Sequence, residues 1–129
     1  MGNVNSRVLV ELTLDEMKKC VAEGSFVILP RDKNLAFIED CNISTQEQTD
    51  ILLALTIEDY SESEPSERVV GSYVNKFGKQ VELKKVLDKT AKPIDMYVKF
   101  EIVENSNGNR TVFISFHEEE YKLSFPFRQ

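Results

Sequence analysis

The chain has one histidine, two cysteines, five glycines and no uninterrupted apolar stretch long enough to cross a bilayer. Cys20 and Cys41 fall in different expected elements and lack metal-ligand spacing. With no Cys/His cluster, the composition argues against a zinc site built by this chain alone. Both thiols read as reduced and helix-associated. Gly71 and Gly78 lack the spacing of a nucleotide motif, and no glycine-rich phosphate loop is found. Internal repeats, coiled-coil heptads and low-complexity tracts are also missing. Residues 1–7 are polar, so the expectation is a cytoplasmic protein without a signal peptide or membrane contact. No metal and no cofactor is expected.

What is present is the composition of a globular domain. Hydrophobic residues make up 41% and charged residues 29% of 129 positions, which suits one domain, residues 1–129, with a single core. The net charge is −6 and unevenly spread. Residues 1–64 carry 13 acidic and 5 basic side chains, a balance of −8. Residues 65–129 carry 9 acidic and 11 basic, a balance of +2. A uniformly acidic protein would repel nucleic acid. Here Lys76, Lys79, Lys84, Lys85, Lys89, Lys92 and Lys99 supply cations that can contact phosphates. The plainer reading, lysines that only solvate the surface, fits the same numbers.

Along the chain, helices are expected first and an antiparallel sheet second, an α+β pattern. Residues 8–12 read as a short strand or extended lead-in. Thr13 and Glu16 form a capping-box pattern ahead of a helix that carries Leu14, Met17, Cys20 and Val21 and stops at Gly24. Residues 26–29 read as extended up to Pro30, residues 35–39 as a short helix, and Ser44 opens a third helix with Ile51, Leu52 and Leu55 on its apolar side. Residues 61–67 are polar and contain Pro65, which reads as a loop. Residues 69–77 and 80–86 read as two strands about Gly78, and residues 121–123 as a last short strand.

The lone His117 ends a strand-like run over residues 111–117. A second run over residues 96–103 precedes it, and Asn105, Ser106, Asn107, Gly108 and Asn109 between them read as a hairpin loop. Met96, Val98, Phe100 and Ile102 share one face, and Val112, Ile114 and Phe116 share another. If those faces meet in the core, Tyr97, Lys99, Ser115 and His117 all point outward. A symmetric loop pairs Val103 with Thr111, Tyr97 with His117 and Lys99 with Ser115. Slippage by two residues would change partners but not the face. The outward set, an imidazole, an ammonium, a phenol and a hydroxyl, can move protons and hold a phosphate. The same residues also suit an ordinary solvent face.

Three segments carry a family resemblance. They are residues 14–24, residues 50–60, and the pair Tyr97-Val98-Lys99-Phe100 with Ile114-Ser115-Phe116-His117. In that order they resemble the MqsR family of type II toxins, within the wider RelE-like group of messenger-RNA endonucleases. The resemblance implies N-terminal helices packed on an antiparallel RelE-like sheet, a cognate antitoxin as partner and RNA as substrate. It also implies a catalytic role for the position after Ser115-Phe116, a lysine in the family's best-known form and His117 here. A second family lysine falls at about Glu62, and the segment between Asp59 and Tyr97 is longer than in that form.

The resemblance and the hairpin together assign His117 as acid or base. Lys99 would neutralise the phosphate, and Tyr97 would orient a group or stack on a base. Lys84, Lys85, Arg110 and Tyr121 are candidates for RNA backbone contacts. The competing reading has no chemistry. It is an acidic binding module, such as a phage-encoded inhibitor of a host nucleic-acid enzyme, and Glu118-Glu119-Glu120 beside His117 suits it because the run would repel RNA.

Overall fold

A computed structural model describes residues 2–128; Met1, at the start of the polar segment read as leader-free, and Gln129 lie outside the described residues. Three helices pack on one face of a five-stranded sheet, as the α+β pattern leads one to expect. The elements run α1 (Arg7–Ala22), β1 (Phe26–Ile28), α2 (Asp32–Asp40), α3 (Thr45–Leu53), a 3-10 turn (Ile57–Asp59), β2 (Tyr60–Pro65), β3 (Tyr73–Leu83), β4 (Lys92–Asn105) and β5 (Gly108–Glu118). Strand order is β1-β5-β4-β3-β2. The β4–β5 hairpin is flanked on both sides, and β1 pairs parallel to β5, so the sheet is mixed rather than wholly antiparallel.

The first helix starts earlier than expected. Residues 8–12 are helical, and the cap is Ser6, whose Oγ accepts from the Leu9 N–H at 3.2 Å, not Thr13. Val10, Leu14, Met17 and Val21 form one continuous buried stripe. The apolar run that mimics a strand leaves Val8, Leu9 and Leu12 exposed, because only Val10 meets the sheet side. The helix ends as expected at Gly24, whose φ of +74° suits the left-handed stop after a helix. Ser44 caps α3 with a capping box completed by Glu47.

Three other expectations are corrected. Residues 61–65 form part of β2 rather than a loop. This is an edge strand, and after the buried Tyr60 its buried positions are Ser61 and Ser63, so it carries no apolar alternation. Ser63 is held by hydrogen bonds to Tyr60 and Asn75 instead. Residues 73–83 form one strand running straight through Gly78, not two strands about it. A Cβ at Gly78 would lie 2.6 Å from Leu123 and 3.0 Å from Phe125. The glycine therefore serves the close approach of the C-terminal segment, not a turn. Residues 121–123 form no strand; they lead that segment across the sheet face opposite the helices.

The hairpin pairs Tyr97 with His117 and Lys99 with Ser115, as expected, but reaches that register by another route. Its loop is tighter, with Asn105 opposite Gly108, so Val103 faces Arg110 instead of Thr111. A β-bulge then places Ile114 as an extra residue between the Phe100–Phe113 and Lys99–Ser115 pairs, which restores the register. The bulge also exchanges faces. Phe113 and Phe116 are fully buried under the helices with Val98 and Phe100, whereas Ile114, expected in the core, is half-buried on the opposite face.

Candidate functional site

Alternation along the strands builds the site on the face away from the helices. One cross-strand row is Glu62, Lys76, Lys99 and Ser115, on β2, β3, β4 and β5. The next is Gly78, Tyr97 and His117. Neighbouring strands lie about 4.8 Å apart, so these side chains form one surface. The connection from β1 into α2 supplies Arg31, and the C-terminal segment supplies Tyr121. Together they line a cavity of about 480 Å³ that holds Lys76, Tyr97, Lys99, Ser115, His117, Arg31 and Tyr121.

His117 is buried, and its Nδ1 lies 2.8 Å from the backbone oxygen of Glu118. A carbonyl oxygen can only accept, so Nδ1 carries the proton and the neutral ring keeps its lone pair on Nε2. The Tyr97 ring sits 5.6 Å from the imidazole and 6.1 Å from the Tyr121 ring, centroid to centroid. Burial, and then the neighbouring Tyr121, push the Tyr97 phenol far above its ordinary value, so it remains a protonated donor at any physiological pH.

The cations differ in character. Burial, then the charges of Lys76 and Arg31, hold Lys99 below the ordinary lysine value, which makes its ammonium a stronger acid. Lys76 is raised despite the opposing effect of burial, through its hydrogen bonds and charge contacts with Glu64 and Glu62 at 2.6 and 3.4 Å. Glu62, the position where the family resemblance has a lysine, thus sits against a lysine from the next strand. The acidic run is largely compensated. Glu118 pairs with Lys85 at 3.1 Å and Glu120 with Lys33 at 2.8 Å.

Among the residues singled out from sequence, the fold gathers Tyr97, Lys99, His117 and Tyr121 in one cavity. Lys85 stands in a separate, smaller depression that also touches His117, with Glu118 and Glu119. Lys84 is exposed on the loop after β3 and lines neither. Arg110 is exposed near the hairpin tip, seven residues along β5 from His117, about 23 Å in an extended strand. It is not part of the site.

Sequence reasoning missed Arg31 and Asn34. Asn34, 1% exposed on α2, donates to the Leu29 and Ile114 oxygens at 2.9 and 3.0 Å and accepts from the Phe116 N–H at 2.8 Å. Its amide continues the β1–β5 ladder beyond Ile28, satisfying β5 backbone groups on the side where β1 has ended. The bulge that turns Ser115 and His117 toward the cavity is therefore fixed from α2. The only sequence signal was an Asn in the first turn of a helix, which ordinarily faces solvent.

Among the described residues no group of three or more His, Cys, Asp and Glu side chains is placed to hold a metal ion. No described helix is long and apolar enough to cross a membrane. No protein-family model matches the sequence, and a search of curated proteins finds no match to it.

Proposed function

We propose that this chain is a cytoplasmic endoribonuclease toxin of the MqsR type, in the RelE-like group, which cleaves single-stranded messenger RNA with protein groups and is restrained by a cognate antitoxin. The observation that carries this reading is the convergence of His117, its Nδ1 engaged by the Glu118 oxygen and its Nε2 left without such a partner, on Lys99, Lys76, Arg31 and a phenol raised by burial at Tyr97 in one cavity. Nε2 takes the proton of a ribose 2′-OH, whose oxygen attacks the adjacent phosphorus. The bond from phosphorus to the 5′-oxygen breaks, and the Lys99 ammonium, acidified by burial, protonates that oxygen. Arg31 and Lys76 neutralise the phosphoryl oxygens, and Tyr97 donates to one of them. The products are a 2′,3′-cyclic phosphate and a 5′-hydroxyl. The acidic half of the chain offers a complementary surface to a basic antitoxin.

Induced expression of the wild type and of His117→Ala tests the reading. The wild type should arrest growth and cleave RNA in the presence of EDTA, and His117→Ala should do neither. Harmless expression and undetectable cleavage by the wild type would leave the acidic binding module as the better account.

A further inference from the structure

Beside the catalytic cavity, a second depression of about 360 Å³ shares Arg31, Lys99 and Ile114 with it and is floored by Glu101. Glu101 lies on β4 two residues beyond Lys99, hence on the same face and about 7 Å away. Its side chain is 1% exposed. Oε1 has one long contact, 3.4 Å from the guanidinium of Arg68, a side chain that is itself 63% exposed. Oε2 is buried without a hydrogen-bond partner among the described residues. A carboxylate oxygen left so is costly, and interior ones ordinarily accept hydrogen bonds. The depression thus ends in an acceptor pair whose one donor is a long contact from a solvated arginine.

We propose that this depression is the base-recognition subsite of the ribonuclease, and that Glu101 selects guanine. The inference rests on the ribonuclease reading above. Guanine presents two adjacent donors, N1–H and the 2-amino group, on its pairing edge, and these match the two oxygens of a carboxylate. Adenine and cytosine place an acceptor beside their donor, and uracil flanks its one donor with two acceptors; each would set an acceptor against Glu101. Arg68 swings off Oε1 as the base enters and stacks on its exposed face. Glu101 touches no reacting atom, so it governs which nucleotide sits beside the scissile phosphate held at Lys99.

The test measures binding first and cleavage second. The shifts of backbone amide resonances on titration with 3′-GMP, 3′-IMP, 3′-AMP, 3′-CMP and 3′-UMP give five affinities for the wild type. The expectation is 3′-GMP about 10- to 100-fold tighter than the adenine, cytosine and uracil nucleotides, with 3′-IMP, which lacks the 2-amino group, in between. Glu101→Gln should erase the preference, weakening 3′-GMP and no longer setting an acceptor against adenine. Equal affinities across the set would overturn the subsite, as would an undiminished guanine preference in folded Glu101→Gln. If that variant fails to fold, the 3′-GMP to 3′-IMP ratio of the wild type decides alone, a ratio of one being fatal. Guanine-selective binding without cleavage of any RNA would sustain the subsite and defeat the nuclease reading, so the two fail separately.

Discussion

The two faces of β4 are built from alternate residues of one strand and obey different rules. Met96, Val98 and Phe100 are fully buried against the helices, in the main apolar cluster of the protein. Tyr97, Lys99 and Glu101 point the other way into a polar basin, where a raised phenol, a lowered ammonium and an orphaned carboxylate oxygen sit on three alternate residues. The first face supplies stability. The second gives up stability, since burying charge and leaving an acceptor unpaired both cost free energy. Such expense on one side of a strand is what a functional surface looks like.

The comparison breaks most visibly on the core side. Phe100 stacks on Phe77 at 5.5 Å and contacts Phe113 at 5.6 Å, at the centre of the sheet. Phe100→Ala should lower stability by about 3–5 kcal/mol in chemical denaturation. A loss below about 1 kcal/mol would mean that the apolar face is not the core.

On the open side, His117→Ala should reduce RNA cleavage by ~100- to 10,000-fold. Its stability should fall by only about 1 kcal/mol, for the lost Nδ1 bond to Glu118. A thermal melt beside a single-turnover cleavage assay separates the two effects. A variant that unfolds, or one that cleaves as the wild type does, would remove the distinction between the faces. Lys99, held below its ordinary value, should lose its proton at lower pH than a free lysine, so cleavage should decline on the alkaline side before pH 10.5.

Asn34 joins the faces and marks where sequence reasoning stopped. The Tyr97–His117 and Lys99–Ser115 pairs were readable because alternation in two strands and a turn-rich link constrain register to steps of two. The bulge was not readable. A loop tighter by one residue and an extra residue at Ile114 cancel at the site but not between it and the loop, so Phe113 and Ile114 exchange places while the functional pairs stay matched. The edge strand β2 was hidden because serines, not apolar residues, fill its buried positions after Tyr60, and the start of α1 because its apolar run is mostly exposed. Asn34→Ala should cost about 1–3 kcal/mol, by stranding the buried Phe116 N–H and taking one donor from the Leu29 and Ile114 oxygens, which keep their contacts with Arg31. It should also speed hydrogen exchange at the Phe116 amide and weaken cleavage. An unchanged exchange rate at Phe116 would show that the bulge holds without α2.

The smallest effect tests whether the open face carries any stability of its own. Glu64 has a folded pKa below its ordinary 4.5, chiefly through its hydrogen bond to Lys76, so its contribution is present above 4.5 and lost as pH falls through the lower folded value. Lys76 has a folded pKa above its ordinary 10.5, so its contribution is present below 10.5 and lost as pH rises through the higher folded value. The pair therefore works from about pH 5 to pH 10. The Glu64 side chain is 37% exposed, so solvent screens much of the attraction, whereas Lys76 at 10% is better shielded. Glu64→Gln should cost roughly 0.5–1 kcal/mol at pH 7. The difference from the wild type should shrink as pH falls below 4.5 and through the lower folded value, where the native carboxylate becomes protonated. A difference that persists undiminished throughout acid titration of the folded protein would assign the effect to packing rather than charge. In that case the polar basin would share in holding the fold, and the division between the two faces of β4 would be less sharp than the burial pattern implies.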